Sequence, residues 1–210
     1  MLDRTAIILA GDSPETFGSN KGLIQLAKKP MITHIIGRIQ NFVNEIIICL
    51  KDDSQMHSYS QVIPKETRLV VDEREFPECP LRGAYTGLLN AESDYSVILP
   101  CDTPFVSGRV IDLLFDAAVG VKAAVPRWPD DNIEPLQAVY KTRDATDAAR
   151  RALEGSCYSM RAMISLLKSV RYISTLVIKE IDPKMYTFMN INTPLDLRRA
   201  ETLIKRNLLT

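Results

Sequence analysis

Histidine is nearly absent from this chain, with His34 and His57 the two among 210 residues. The four cysteines (Cys49, Cys79, Cys101 and Cys157) stand far apart and form no CxxC pair. A zinc centre needs several His or Cys ligands at short spacing, so this composition argues against one. The cysteines read instead as reduced thiols, with Cys49 and Cys101 in or at the end of apolar strands. Net charge is missing too: Lys+Arg and Asp+Glu both total 26. That balance argues against a strongly electrostatic nucleic-acid binder. No apolar run approaches the roughly 18 residues that a bilayer span needs. The stretch 5–10 is too short for a signal-peptide core and runs straight into a glycine turn. A soluble, cytoplasmic protein without nucleic-acid or membrane partners is expected. No linker, repeat or low-complexity tract interrupts the chain, so one domain over 1–210 is the economical reading.

What is present alternates. Segments 5–10, 45–50, 67–71 and 95–100 are rich in β-branched residues and poor in charge, as buried parallel strands require. Between them, 30–42 carries apolar residues at 31, 32, 35, 36, 39 and 42, the spacing of one helix face. Segments 82–91 and 107–119 are further helices. The second half is less regular. It reads as strands at 122–127 and 136–141 around a polar loop, helices at 144–153 and 159–167, strands at 171–181 and 187–191, and a final helix over 194–208. Such alternation predicts an α/β fold with a mostly parallel sheet, its ligands bound beyond the carboxyl ends of the strands.

Three stretches fall at those ends. After the first strand come Gly11, a six-residue turn, Gly18, and Lys21 near the start of a helix. Glycines let backbone N–H groups face an anion and a lysine adds a point charge, although the spacing is neither Walker A nor G-x-G-x-x-G. A plain turn with an exposed lysine fits equally well. In "ILPCDTPFVSG", Asp102 follows an apolar strand directly. A carboxylate there suits Mg2+, which takes one or two protein carboxylates and completes its shell with phosphate, or it is a turn residue ahead of a helix capped by Ser107. In "FMNINTPLDL", Thr193, Pro194 and Asp196 form a helix start, whereas Asn190 and Asn192 are left over, on one side of the expected strand.

Together these stretches resemble the molybdenum cofactor guanylyltransferases over almost the whole chain. The opening LAGGxSxRMGxxK of that family is matched by Leu9, Ala10, Gly11, Phe17, Gly18 and Lys21. Its CDxP motif is matched by Cys101, Asp102 and Pro104, and its N-x-NTPxDL motif by 190–197. An Asp seven residues before GPLAG is echoed by Asp72 and by the CPLRG of 79–83. The resemblance implies a Rossmann-like, three-layer nucleotidyltransferase fold with a mostly parallel mixed sheet. It implies transfer of GMP from GTP to the phosphate of molybdopterin, with release of pyrophosphate and Mg2+ as cofactor. Residues 1–106 would hold the nucleotide and 107–210 the acceptor.

Residue by residue, Leu9, Ala10 and Gly11 would line the nucleotide and Lys21 would contact its phosphates. Asp72 with Pro80, Leu81, Arg82 and Gly83 would lie near the guanine or ribose. Asp102 would hold Mg2+, and with Lys21 would carry the chemistry. Pro135, Gln137, Asn190 and Asn192 would face the pterin. Transient contact with molybdoenzymes or cofactor-biosynthesis proteins is also implied. The chain departs from the pattern at Asp12, Pro14 and Thr16, where the family has glycine, serine and arginine, and at Cys79 and Arg82. Lys51 stands where relatives often have asparagine. Lys51 and Arg82, on loops of the same sheet edge, are expected to replace the lost cation as nucleotide contacts, and Asp12 to join the metal. The alternatives are a related nucleotidyltransferase acting on phospholactate or a sugar phosphate, or a catalytically degenerate nucleotide-binding adaptor.

Overall fold

The computed structural model describes residues 3–11 and 20–206. Strand β1 (Arg4–Leu9) is the third strand of a seven-stranded sheet. Its parallel neighbours are β4 (Glu45–Leu50) on one side and β6 (Tyr95–Pro100) on the other, with Ile7 opposite both Ile47 and Ile98. Beyond β4 lies β5 (Arg68–Val71), also parallel. Beyond β6 come β8 (Ala138–Lys141), antiparallel, then β7 (Ala123–Arg127) and β9 (Val170–Ser174), a parallel pair. The expected mostly parallel, mixed sheet is therefore found, and the strand order reverses direction between β1 and β6. A small hairpin, β2 (Gln25–Leu26) and β3 (Lys29–Pro30), stands apart from the sheet.

The pleat divides the apolar residues between two faces. Ala6 and Ile8 of β1 pack with α1 (Met31–Ile39) and α4 (Gly108–Ala118), joined by Tyr59 of α2 (Asp53–Ser60) and Ile178 of α7 (Thr175–Ile181). Ile7, Ile47 and Ile98 face the other way, onto α3 (Pro80–Asn90), α5 (Thr142–Glu154) and α6 (Met160–Ser165). The result is three layers, helix–sheet–helix. Helix α3 sits so close that a Cβ on Gly87 would lie 2.2 Å from Ile7 Cγ2, so no larger residue fits without moving the helix off the sheet. Helix α8 (Pro194–Lys205) buries Ala200 in a third cluster with Leu26, Met31, Phe105 and Ile191. No helix among the described residues is long and apolar enough to cross a membrane.

Several elements differ from the sequence reading. Lys21 opens a three-residue 3-10 turn (Lys21–Leu23), and the true helix α1 begins at Met31, after the hairpin. The β-branched run 171–181 is a strand only to Ser174. There the Ser174 hydroxyl accepts from Leu176 N at 3.2 Å and caps α7, whose buried Thr175 and Ile178 follow a three-residue helical spacing. Residues 187–191 are not a strand: Tyr186–Phe188 is a 3-10 turn, and the following segment joins no ladder. Helix α2 lies where no element was expected. Its signal, Asp52 followed three residues later by Gln55, is that of a capping box, and Asp52 does accept from the N–H groups of Ser54 and Gln55.

Candidate active site

The carboxyl ends of β1, β4, β5 and β6 share one edge, and the ladder continues past each. Ala10 N donates to Cys49 O at 2.9 Å, Cys101 N to Leu9 O at 3.1 Å, and Asp72 N to Leu50 O at 2.8 Å. The loops after β4 and β5 come against Gly11. A Cβ there would sit 3.1 Å from Lys51 N and 3.2 Å from Asp72 Oδ2, so any side chain would press on both neighbours. Gln55 of α2 accepts from Lys51 N at 2.8 Å and donates to Asn20 Oδ1 at 2.8 Å, pinning the loop after β4 to the chain ahead of Lys21. Neither Gln55 nor this bridge was foreseen, though the same capping pattern at 52–55 marked it.

Asp72 lies under the Gly11 turn and is 6% exposed. Arg82, equally buried on the first turn of α3, places a guanidinium nitrogen 3.5 Å from Asp72 Oδ2 and donates to Phe76 O at 3.2 Å. Burial pushes the Asp72 carboxyl up to about 6; Arg82 opposes the rise and Glu78 adds to it. Lys51 reaches Glu78 at 2.9 Å. The two cations expected to replace a lost arginine thus each hold an acid of this chain, because the 72–79 segment carries carboxylates that meet them first. Leu81 is fully buried among the α3–α5 core residues, so only its backbone is available to a ligand; Gly83 packs on Leu9 and Asp72, and Pro80 is exposed. The positions Asp12, Pro14, Thr16, Phe17 and Gly18 lie outside the described residues.

Across the switch in strand order, Asp102 is 8% exposed. Lys21 Nζ donates to its Oδ2 at 2.8 Å and to Asn192 Oδ1 at 2.6 Å. Ile191 N donates to Asp102 O at 2.9 Å, so backbone and side chain together draw the segment before α8 onto this carboxylate. Three stretches far apart in sequence meet here. The other carboxylate oxygen, Oδ1, is buried without a hydrogen-bond partner among the described residues. Leaving such an atom unpaired costs about 1–3 kcal/mol or more, which marks it as waiting for a ligand. It is a hard anionic oxygen and fits Mg2+. Among the described residues it is not joined by a cluster of three or more His, Cys, Asp or Glu, and Asp12, expected to join the metal, lies outside them.

Gln137 precedes β8, whose start lies beside the end of β6, with Ala138 opposite Ile98. It is buried and its Oε1 likewise has no partner among the described residues. Pro135 is half-buried, its carbonyl accepting from the Tyr140 hydroxyl at 2.7 Å. Asn190 is exposed and does not share a strand face with Asn192, since no strand is there. The Thr193 hydroxyl accepts from Asp196 N while Asp196 Oδ2 accepts from Thr193 N, the capping box expected at the start of α8.

Residues 6–170 match the model of the MobA-like NTP transferase domain. The chain is 34% identical over 199 residues to a probable molybdenum cofactor guanylyltransferase of Methanosarcina mazei, covering 92% of this chain and 88% of the relative. It belongs to the molybdenum cofactor guanylyltransferase family. Another member, the molybdenum cofactor guanylyltransferase of Desulfosudis oleivorans, is 30% identical, with 96% of each chain covered. The fold of the family recurs in molybdopterin-guanine dinucleotide biosynthesis protein A from Archaeoglobus fulgidus, at a TM-score of 0.81 and 24% identity over 96% of this chain and 99% of that one. A 2-C-methyl-D-erythritol 4-phosphate cytidylyltransferase from Thermus thermophilus shares the fold at a TM-score of 0.69 and 16% identity, with 95% and 98% covered. The resemblance read from the motifs is thus borne out at the level of family and of fold.

Proposed function

We propose that this chain transfers GMP from GTP to the phosphate of molybdopterin, releasing pyrophosphate, in a Mg2+-dependent reaction in the cytoplasm. The observation that carries this reading is the junction of Lys21, Asp102 and Asn192, which joins a phosphate-side cation, a metal-side carboxylate and an acceptor-side amide. Residues 1–106 hold the nucleotide: Leu9, Ala10 and Gly11 through their backbone, Asp72 and the 80–83 turn beside the guanine or ribose. Residues 107–210 hold the acceptor, with Gln137 and Asn192 offering amides, Asn190 flanking them and Pro135 shaping the wall. The product then passes to molybdoenzymes through transient contact.

A phosphate oxygen of molybdopterin attacks the α-phosphorus of GTP. The new P–O bond forms as the bond from that phosphorus to its bridging oxygen breaks, and the electron pair leaves with pyrophosphate. The attacking oxygen is already anionic, so no base is needed, in keeping with the absence of a His-centred arrangement. The chain's part is to hold the two phosphates in line and to neutralise charge, and Lys21 supplies the cation. Asp102 would hold Mg2+ through Oδ1, and the ion when bound supplies positive charge to the phosphate oxygens. The test is pyrophosphate release from GTP, ATP or CTP with molybdopterin, in Mg2+ and in EDTA. Release with GTP and Mg2+ together supports the reading, and its absence from that mixture refutes it.

A further inference from the structure

The chain has one tryptophan, and no part of the proposed reaction uses it. Trp128 follows directly on β7, is half-buried, and belongs to none of the three hydrophobic clusters of the described residues. Trp128 reaches the first cluster through Phe188, which packs against that cluster, and hydrogen bonds fix it further. Its Nε1 donates to Glu134 Oε1 at 2.6 Å, its backbone N donates to Asn132 O at 2.7 Å, and its ring meets that of Phe188 at 5.5 Å with the planes at 59°. Glu134 N donates to Pro126 O at 3.0 Å, closing the loop behind it. The indole is therefore held still while part of its surface stays open to solvent.

Its place in the fold says what that surface is for. Both β6 and β7 run antiparallel to β8, so β7 ends at the same edge as Asp102. It lies two strand positions away, roughly 10 Å at the usual spacing. From Phe188 the chain passes through Asn190 to Ile191 and Asn192, which are bonded to Asp102 and Lys21. Gly11, Asp72 and the 80–83 turn, the nucleotide side of the site, lie across β6 in the direction of β1, β4 and β5. We propose that Trp128, backed by Phe188, is a stacking platform for the pterin ring of the acceptor. A rigid aromatic surface loses little freedom on binding, and stacking on it is tolerant of ring identity. This rests on the reading of the acceptor as a pterin, and guanine, which has the same planar chemistry, is the competing occupant.

Guanylyl transfer is measured with the acceptor and GTP varied in turn, in the wild type and in Trp128→Ala and Trp128→Phe. Truncation to alanine raises the acceptor KM about 5- to 150-fold, the range for one lost aromatic stack. The KM for GTP stays unchanged, and phenylalanine restores most of the loss. An unchanged acceptor KM, or a rise in the KM for GTP instead, overturns the platform. The wild-type protein gives a second reading that no folding defect can spoil, because its tryptophan fluorescence comes from Trp128 alone. Saturating pterin should lower collisional quenching by acrylamide, read from lifetimes, while Mg2+ and GTP leave it unchanged; no shielding by pterin refutes the proposal. A wild-type enzyme that transfers nothing to molybdopterin yet shows shielding would instead refute the reaction and leave the platform standing.

Discussion

Replacing Asp72 by asparagine should make the protein more stable at neutral pH, and by an amount that depends on pH in a stated direction. The carboxyl is raised from an ordinary 3.8 to about 6 by burial, so the folded state holds its proton more tightly than the unfolded chain does. The stability carried by the protonated form is fully present below 3.8 and is lost as the pH climbs through about 6. Once ionised, the group costs the fold about 3 kcal/mol, at 1.36 kcal/mol per tenfold change in proton affinity. The charged groups that set this balance are Arg82, which offsets part of the cost, and Glu78, which adds to it, and Asp72 in turn pushes the buried Cys49 thiol upward. Asparagine stands in for the neutral acid. Urea denaturation of both proteins, extrapolated to water, should show the variant gaining about 2 kcal/mol on the wild type between about pH 4.5 and pH 7.5. A constant difference over that range, or one that moves toward the wild type, refutes the reasoning. The same variant should bind GTP more weakly if the carboxylate faces the nucleotide, so that the strain held there serves the ligand.

Arg82→Ala leaves Asp72 buried without the cation that opposes the rise of its carboxyl, and the electrostatic cost at pH 7 should be at most about 1.4 kcal/mol, since a carboxyl already raised to about 6 escapes by keeping its proton. The loss should shrink in acid, where Asp72 is neutral, and urea melts at two pH values check it. Asp102→Asn removes the charge from the carboxylate that holds Lys21, and should lower guanylyl transfer roughly 10- to 150-fold, the worth of one charge-assisted contact. Steady-state rates read it, and an unchanged rate would remove Asp102 from the site. Gly11→Ala should weaken GTP binding in calorimetry without unfolding the protein, because the added methyl presses on Lys51 N and Asp72 Oδ2 at 3.1 and 3.2 Å, distances a small shift relieves. Thr193→Ala breaks the capping box of α8 and should lower stability by about 1 kcal/mol, read as a fall in Tm.

The four parallel strands were legible because each is a short run of Ile, Val and Leu with its ends marked by glycine, proline or charge. The start of α8 was legible because Thr193, Pro194 and Asp196 carry their own hydrogen-bond chemistry. Where the reading failed, a local preference was outvoted by a contact it could not see. Thr175, Val177 and Ile178 favour a strand by branching, yet a serine cap and the burial of Thr175 and Ile178 on successive turns made them helix α7. Asn190 and Asn192 looked like partners on a strand. Instead, the bond from Ile191 N to Asp102 O pulls that segment out of any ladder and brings Asn192 to Lys21.

The candidate site divides along the same line. Which residues gather at the sheet edge follows from sequence alone, since alternating strands and helices send every strand-end loop of a parallel sheet to one side. Gly11, Asp72 and Asp102 could be placed there before any coordinates. Which of those residues touch is a tertiary fact. Arg82 and Lys51 were expected beside the nucleotide, and their pairing with Asp72 and Glu78 is written in no local pattern. Trp128 had no motif around it, and only the return of β7 to the edge of β6 sets it beside the segment that reaches Asp102. Short-range hydrogen bonding and side-chain periodicity are written into neighbouring residues, whereas the pairing of buried charges depends on distances that exist only once the sheet has closed.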